Sequence, residues 1–300
     1  MLRMIDQFAP LFESRGAEIT TPEVVQTLTE ERLSALVPAH DGWIIGDDPA
    51  TRAVFEAGKA GRLKAAVKWG IGVDNVDFAA CKDLDIPITN TPNMFGTEVA
   101  DLALGYVIAL ARETFQIDAG VRRGEWPKPS GISLGGKTVA LVGLGDIGSN
   151  VAKRLSACDM NIIAYDPFAS EAPEYVDRAN WPDRFDEADF LVITCALTDS
   201  SHHMVNSETL ATAKSGLRVV NVGRGPVIDE PALESALETG IVYSAALDVF
   251  EQEPLPEKSV LRLHERCVFG SHNASNTQEA VERTSLAAAN ALFNFLDRIA

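Results

Sequence analysis

The chain has 300 residues, 46% of them hydrophobic, which allows two domains and a sizeable core. Its formal charge of -17 leaves no basic footprint for nucleic acid and no attraction to anionic membranes. The four cysteines, Cys81, Cys158, Cys195 and Cys267, are dispersed and form no CxxC pair, so neither a metal site nor a disulfide framework is expected, and reduced thiols point to the cytoplasm.

Short apolar runs alternate with helical segments, which predicts an α/β architecture with parallel sheets. The opening stretch, "MLRMIDQFAPLFESRG", reads as a helix from the first residue. A parallel domain ordinarily enters by a strand, so a first strand is expected to be missing from the chain as numbered, through truncation or a late start codon. The alternative is a domain that begins with a helix. Strands are predicted at "AEIT", "WIIG", "LKAAVKW" and "IPITN", with helices at "TEERLSAL" and "NVDFAACKDL" between them. "TEVADLALGYVIALARETF" reads as one long helix, apolar nearly all round and therefore buried in the molecule or a subunit interface. Gly, Pro and Ser then break the pattern from Arg122 to Lys137. A second α/β series follows, with strands at "TVALVG", "NIIAYD", "FLVITCAL", "LRVVNV", "VYSAALDVF" and "CVFGSHN", and the chain ends in a long helix. No apolar run reaches the ~20 residues of a membrane span. The N-terminus has no basic segment leading into an apolar one, so no signal peptide is expected.

The stretch "KTVALVGLGDIGSNVAKRL" sets Gly143, Gly145 and Gly148 in GxGxxG spacing, with Asp146 and Ile147 between them. A β-branched strand precedes it and an amphipathic helix follows. An acid, Asp166, ends the next strand at close to the ~20-residue interval of a dinucleotide site. Gly143 permits the tight turn, Gly145 lets the backbone approach a pyrophosphate, and Gly148 lets helix pack on strand. The helix dipole favours the anion, and Asp166 suits ribose hydroxyls rather than a 2′-phosphate, which predicts NAD over NADP.

Three residues lie just past successive downstream strands: Arg224 in "NVGRG", Glu253 in "DVFEQEP" and His272 in "GSHNAS". Ligands of open parallel sheets bind beyond the carboxyl ends of the strands, so all three project toward the reacting end of the cofactor. Reducing a 2-keto acid needs a cation for the carboxylate, a proton donor for the carbonyl oxygen, and a hydride. An arginine fork matches a carboxylate, histidine titrates near neutrality, and a neighbouring glutamate stabilises the imidazolium. The plain alternatives are surface ion pairs and loop acids. His40, His202, His203 and His264 are read as structural or solvated.

From about Leu63 onward the chain resembles the D-isomer-specific 2-hydroxyacid dehydrogenases, through "VKWGIGVDNVD", "TNTPNMFGTEVAD", "LVGLGDIG", "VVNVGRGPVIDE", "ALDVFEQEPLP" and "GSHNAS" in the family's order. The resemblance implies two Rossmann-like or flavodoxin-like domains: a split substrate domain, residues 1–94 and 276–300, with an NAD domain, residues 95–275, inserted into it. It implies that Arg224 holds the substrate carboxylate and carbonyl, that Glu253 pairs with His272, and that His272 protonates the carbonyl. It further implies that the backbone of Gly70, Ile71 and Gly72 binds the carboxylate and that Asp248 holds the nicotinamide carboxamide. Cys195, Ala196, Val222 and Gly223 are implied to line the cofactor groove. The substrate would be a small 2-hydroxy or 2-keto acid of the phosphoglycerate, glyoxylate or hydroxypyruvate class, and the long helix would serve a homodimer. The chain departs from the family at Ser271, where proline is usual, at Asp101 for glutamate, at Cys195 for threonine, and at Lys68 for arginine. Lys68 is expected to bear on the substrate's tail, near Met94 and Phe95. Rival readings are an NAD-sensing protein like the family's corepressors, which has no turnover, and an enzyme of the formate or phosphite dehydrogenase type.

Overall fold

A computed structural model describes residues 2–24 and 27–299. The chain divides into two compact units, Met1–Met94 with Asn276–Ala300, and Phe95–Ser275. In chain order the first unit contributes α1 (Ile5–Glu13), α2 (Glu30–Leu36), β1 (Gly42–Ile45), α3 (Arg52–Ala60), β2 (Ala65–Lys68), α4 (Phe78–Asp83) and β3 (Ile88–Asn90). The second contributes α5 (Gly96–Arg112), α6 (Thr114–Arg122), β4 (Thr138–Val142), α7 (Asp146–Ser156), β5 (Asn161–Tyr165), β6 (Val176–Arg178), β7 (Phe190–Ile193), α8 (Ser207–Ala211), β8 (Leu217–Asn221), α9 (Glu230–Thr239), β9 (Val242–Leu247) and β10 (Cys267–Phe269). The chain returns to the first unit with α10 (Gln278–Ile299).

In the first unit β1, β2 and β3 pair in parallel, in that order. Thr29, Thr51 and Asp77 accept backbone N–H groups at the starts of α2, α3 and α4, which fixes where each helix begins. Val54, Phe55, Ile45, Ala66 and Leu33 close the core on one face, each large side chain adding about 1.5–3 kcal/mol by leaving water. Leu292 and Ala288 of α10 cover Ala65 and Val67 on the other face. The segment "AEIT" is not a strand. Ala17 and Ile19 instead pack beside Phe8, Phe12 and Phe293, with no ladder partner for their backbone among the described residues.

The second unit is a seven-stranded parallel sheet in the order β10-β9-β8-β7-β4-β5-β6. Its central strands β4, β7, β8 and β9 are nearly wholly buried, as parallel strands covered on both faces must be. The order reverses between β4 and β7, the position where open α/β sheets bind ligands. The long apolar segment is two helices rather than one. Glu113 takes a left-handed conformation, φ 53°, and separates α5 from α6. Within one chain the segment is not buried all round, because Ile108 and Phe115 are exposed.

Candidate active site

Every side chain expected to do chemistry in the second unit stands at the carboxyl end of its sheet. Gly143 follows β4 with φ +92°, a conformation that suits glycine, and a Cβ there would lie 2.8 Å from the Cys195 backbone. At Gly148 a Cβ would lie 2.1 Å from the Gly143 carbonyl, so its bare backbone lets α7 pack onto the turn. Gly145 caps α7 and faces open space, with no heavy atom within 4 Å of a built Cβ. A turn whose middle glycine is unconfined by protein, at the amino end of an 11-residue helix that also holds Asp146 and Ile147, fits a dinucleotide pyrophosphate. Asp166 follows β5. Its carboxylate accepts the Leu144 N–H at 2.7 Å and the Phe168 and Ala169 N–H groups at 2.8 and 3.1 Å. It therefore braces the glycine turn as well as standing where ribose hydroxyls are expected.

Cys195 and Ala196 follow β7, and Val222 and Gly223 follow β8. A side chain at Gly223 would meet the Cys195 carbonyl at 2.8 Å, so the two strand ends run close together. Burial pushes the Cys195 thiol up to about 11, which keeps it neutral and apolar in that groove. Asn221, 1% exposed, shapes the turn that carries Arg224. Its side chain accepts the Gly223 N–H at 3.0 Å and donates to the Arg224 carbonyl at 2.9 Å. Gly225 leaves no room for a Cβ, which would sit 1.9 Å from the Phe250 carbonyl carbon, so the Arg224 turn abuts the Phe250–Glu253 loop. A buried asparagine beside two glycines is the signal that sequence reasoning passed over here.

His272 and Glu253 meet. The His272 Nδ1 lies 2.7 Å from Glu253 Oε2, and the other carboxylate oxygen accepts the Phe250 N–H at 3.0 Å. A carboxylate only accepts, so Nδ1 is the protonated ring nitrogen of the pair. His272 is held at φ +54°. The residue that holds it is Asp248. Its carbonyl accepts the His272 N–H at 2.7 Å, and its carboxylate accepts those of Asn273 at 3.1 Å and Ala274 at 2.8 Å. Asp248 is 1% exposed with both carboxylate oxygens on the loop, so it is a clamp on the histidine.

In the first unit two expectations change. The Gly70 N–H is donated to Thr91 Oγ1 at 2.7 Å, a buried bond across 21 residues, so Gly70 offers no amide to a ligand. Ile71 and Gly72 follow, and their N–H groups make no hydrogen bond among the described residues. Gly70, with φ +113°, creates the turn that presents them. Lys68 is 3% exposed, its ammonium donating to the carbonyls of Gly46 at 2.7 Å and Trp69 at 3.1 Å, so it braces the strand end instead of reaching a substrate tail. Phe95 is 4% exposed and Met94 is half-buried.

Among known proteins, the family model described as "D-isomer specific 2-hydroxyacid dehydrogenase, NAD binding domain" matches residues 104–274. The hydroxypyruvate reductase of Thermotoga maritima is 36% identical over 95% of this chain and 93% of its own length. The D-3-phosphoglycerate dehydrogenase of Methanocaldococcus jannaschii is 38% identical over 88% of this chain but 51% of its own length, so the chain spans about half of that relative. The solved structure of the TT0316 protein from Thermus thermophilus matches with a TM-score of 0.89 at 30% identity, covering 98% of this chain and 94% of that one.

Proposed function

The chain belongs to the D-isomer specific 2-hydroxyacid dehydrogenases, and from that premise we propose that it interconverts a small D-2-hydroxy acid and its 2-keto acid with NAD(H), in the hydroxypyruvate, glyoxylate or phosphoglycerate class. The observation that carries this reading is the 2.7 Å pair of His272 and Glu253, at the sheet end that also bears Arg224 and the glycine turn. Bound NADH supplies the hydride. Glu253, itself held by the Phe250 N–H, fixes the tautomer and stabilises the imidazolium. Nε2 of His272 is then the nitrogen that gives a proton to the carbonyl oxygen in reduction and takes it back in oxidation. The Arg224 guanidinium pairs with the substrate carboxylate and polarises the carbonyl. The Ile71 and Gly72 amides are further donors to that carboxylate. The glycine turn, Asp166 and the Cys195–Ala196 and Val222–Gly223 walls hold the cofactor. On this reading the first unit is the substrate domain and the second the NAD domain.

His272→Ala is expected to lower kcat by about 10²–10⁴-fold while NADH still binds, measured by NADH oxidation and by fluorescence titration. Wild-type turnover in that variant would sink the assignment. We also read the chain as a cytoplasmic homodimer. No helix among the described residues is long and apolar enough to cross a membrane, and Ile108, Phe115, Val121 and Trp126 expose apolar surface on or just after α5 and α6. A monomer mass by light scattering would overturn the dimer.

A further inference from the structure

A second cluster of titratable side chains forms in the second unit, from three separate segments. His203 lies between β7 and α8, Asp229 just before α9, and Glu251 in the loop after β9. A ring nitrogen of His203 and one carboxylate oxygen each of Asp229 and Glu251 all lie within 4.8 Å of one another. The backbone fixes the three segments. The His203 N–H donates to the Pro226 carbonyl at 2.8 Å, the Val205 N–H to that of Val227 at 3.1 Å, and the Asp229 N–H to that of Val205 at 2.9 Å. The Glu251 N–H donates to the Glu230 carboxylate at 2.7 Å. The His202 ring stacks on that of His203, with centroids 4.0 Å apart, and steadies its plane.

The cluster holds more acceptors than the protein uses. Asp229 stands at the N-cap of α9, where a carboxylate ordinarily accepts a backbone N–H, yet its side chain caps nothing. It makes no hydrogen bond or ion pair among the described residues. On Glu251, Oε1 meets both the His203 Nε2, at 2.7 Å, and the Glu230 N–H, at 3.4 Å, while Oε2 has no partner among the described residues. No lysine or arginine pairs with Asp229, Glu230 or Glu251 among the described residues, and the charges of Glu251, Glu234 and Glu253 all bear on Glu230.

Two carboxylates with oxygens to spare, facing an imidazole nitrogen, are a donor set for a cation. We propose that His203, Asp229 and Glu251 bind one divalent ion of the zinc class. Ligand atoms about 2.0–2.2 Å from such an ion lie up to about 4.3 Å apart, so movements of a few tenths of an ångström bring all three to it. Imidazole joined to carboxylates favours zinc, cobalt or nickel over magnesium and calcium, which take oxygen ligands. The ion replaces the hydrogen bond between His203 and Glu251: Nε2 offers its lone pair to the metal and the ring proton sits on Nδ1. Glu251 is exposed, so water completes the coordination. The ion ties the approach to α8, the start of α9 and the Phe250–Glu253 loop at one point. Cysteine spacing carried no sign of it, because the site uses no cysteine and its ligands meet only in the fold.

The test is calorimetric titration of the chelator-treated 300-residue chain with Zn²⁺, and with Mg²⁺ as control. One Zn²⁺ site is expected, with a higher Tm at saturation, and no binding of Mg²⁺ at the same concentration. Asp229→Asn and Glu251→Gln should each lower Zn²⁺ affinity by roughly tenfold or more. Asp229→Asn removes no hydrogen bond, so its metal-free Tm should match the wild type and its fold is not at issue. Co²⁺ in place of Zn²⁺ should show visible absorption bands without thiolate charge transfer. Zn²⁺ affinity unchanged by Asp229→Asn overturns the proposal, as do equal binding of Mg²⁺, a thiolate band that places the ion on a cysteine, or no Zn²⁺ binding at all. The readout is binding, so it decides the site whether or not the chain reduces a keto acid.

Discussion

At the carboxyl end of the second unit's sheet the groups proposed to work are side chains, while at that of the first unit they are backbone amides. In the second unit Arg224, Glu253 and His272 are charged or titrating groups: buried Asn221 shapes the turn of Arg224, buried Asp248 clamps the His272 loop, and the Phe250 N–H holds Glu253. In the first unit the amides of Ile71 and Gly72 are left without acceptors among the described residues, because Thr91 takes only that of Gly70. Both are parallel sheets, so the construction is shared and the chemistry differs. On the proposed reading, side chains supply proton transfer, and the amides supply shape and a fixed partial charge. Mutation should therefore separate them: the side-chain end fails through lost chemistry or lost support, the amide end through lost selectivity.

Within the second unit, the glycine turn shows the largest contrast between two neighbouring substitutions. Gly148→Ala drives a Cβ to 2.1 Å from the Gly143 carbonyl and 2.9 Å from Thr194 Oγ1, so α7 must move off the strand end. A loss of roughly 2–3 kcal/mol is expected, seen as a drop in Tm of several degrees, with NADH binding lost alongside. Gly145→Ala meets no protein atom, and its φ of -72° suits any residue. Its Tm in the absence of nucleotide should stay within about 1 °C of wild type, yet NADH affinity should fall tenfold or more, because the added methyl occupies the pyrophosphate's approach. Equal NADH affinity in Gly145→Ala would mean that the open space at this turn is not the cofactor's.

Asp248 ranks next. Asp248→Asn keeps the shape but replaces one carboxylate oxygen with a donor, which leaves the Asn273 or Ala274 N–H without its acceptor. About 1–3 kcal/mol of stability should go with it. A loosened His272 should lower kcat by roughly 10–100-fold, with NADH affinity nearly unchanged. If NADH affinity falls instead and kcat at saturation holds, Asp248 serves the nicotinamide after all.

Much of the second unit was legible because its chemistry is written in residue types. The spacing of Gly143, Gly145 and Gly148, the acid at Asp166, and one charged group past each of three strands are local patterns. What was illegible depends on distant partners. Nothing near Gly70 says that its amide will be taken by Thr91, 21 residues on, or that the Lys68 ammonium will be taken by the Gly46 carbonyl. Asp248 reads as an available carboxylate until the loop from β10 folds back over it. The segment "AEIT" has strand-like residues but no ladder partner among the described residues, and the break at Glu113 falls on a residue with no turn signal. Local pattern picked out the candidate groups, and long-range hydrogen bonding decided how they are held.

The smallest effect concerns the acids around the Phe250–Glu253 loop of the second unit. Glu230 is half-buried at the start of α9, and its carboxylate accepts the Glu251 N–H at 2.7 Å. Burial pushes its carboxyl up, and the charges of Glu251, Glu234 and Glu253 push the same way, while the Glu251 N–H opposes them. His203 answers part of this crowding with a 2.7 Å contact to Glu251. Because the folded state raises the Glu230 carboxyl above its unfolded value, it holds that proton more tightly, and ionising the group at neutral pH works against folding. The deficit is absent below the ordinary carboxylate range and grows as pH rises through the raised folded value. Glu230→Gln keeps an oxygen for the Glu251 N–H and removes the charge. Its Tm at pH 7 should rise by roughly 1–3 °C, and the gain should vanish near pH 4, below the unfolded carboxylate's titration. A gain that persists unchanged at pH 4 would assign the effect to packing rather than to charge.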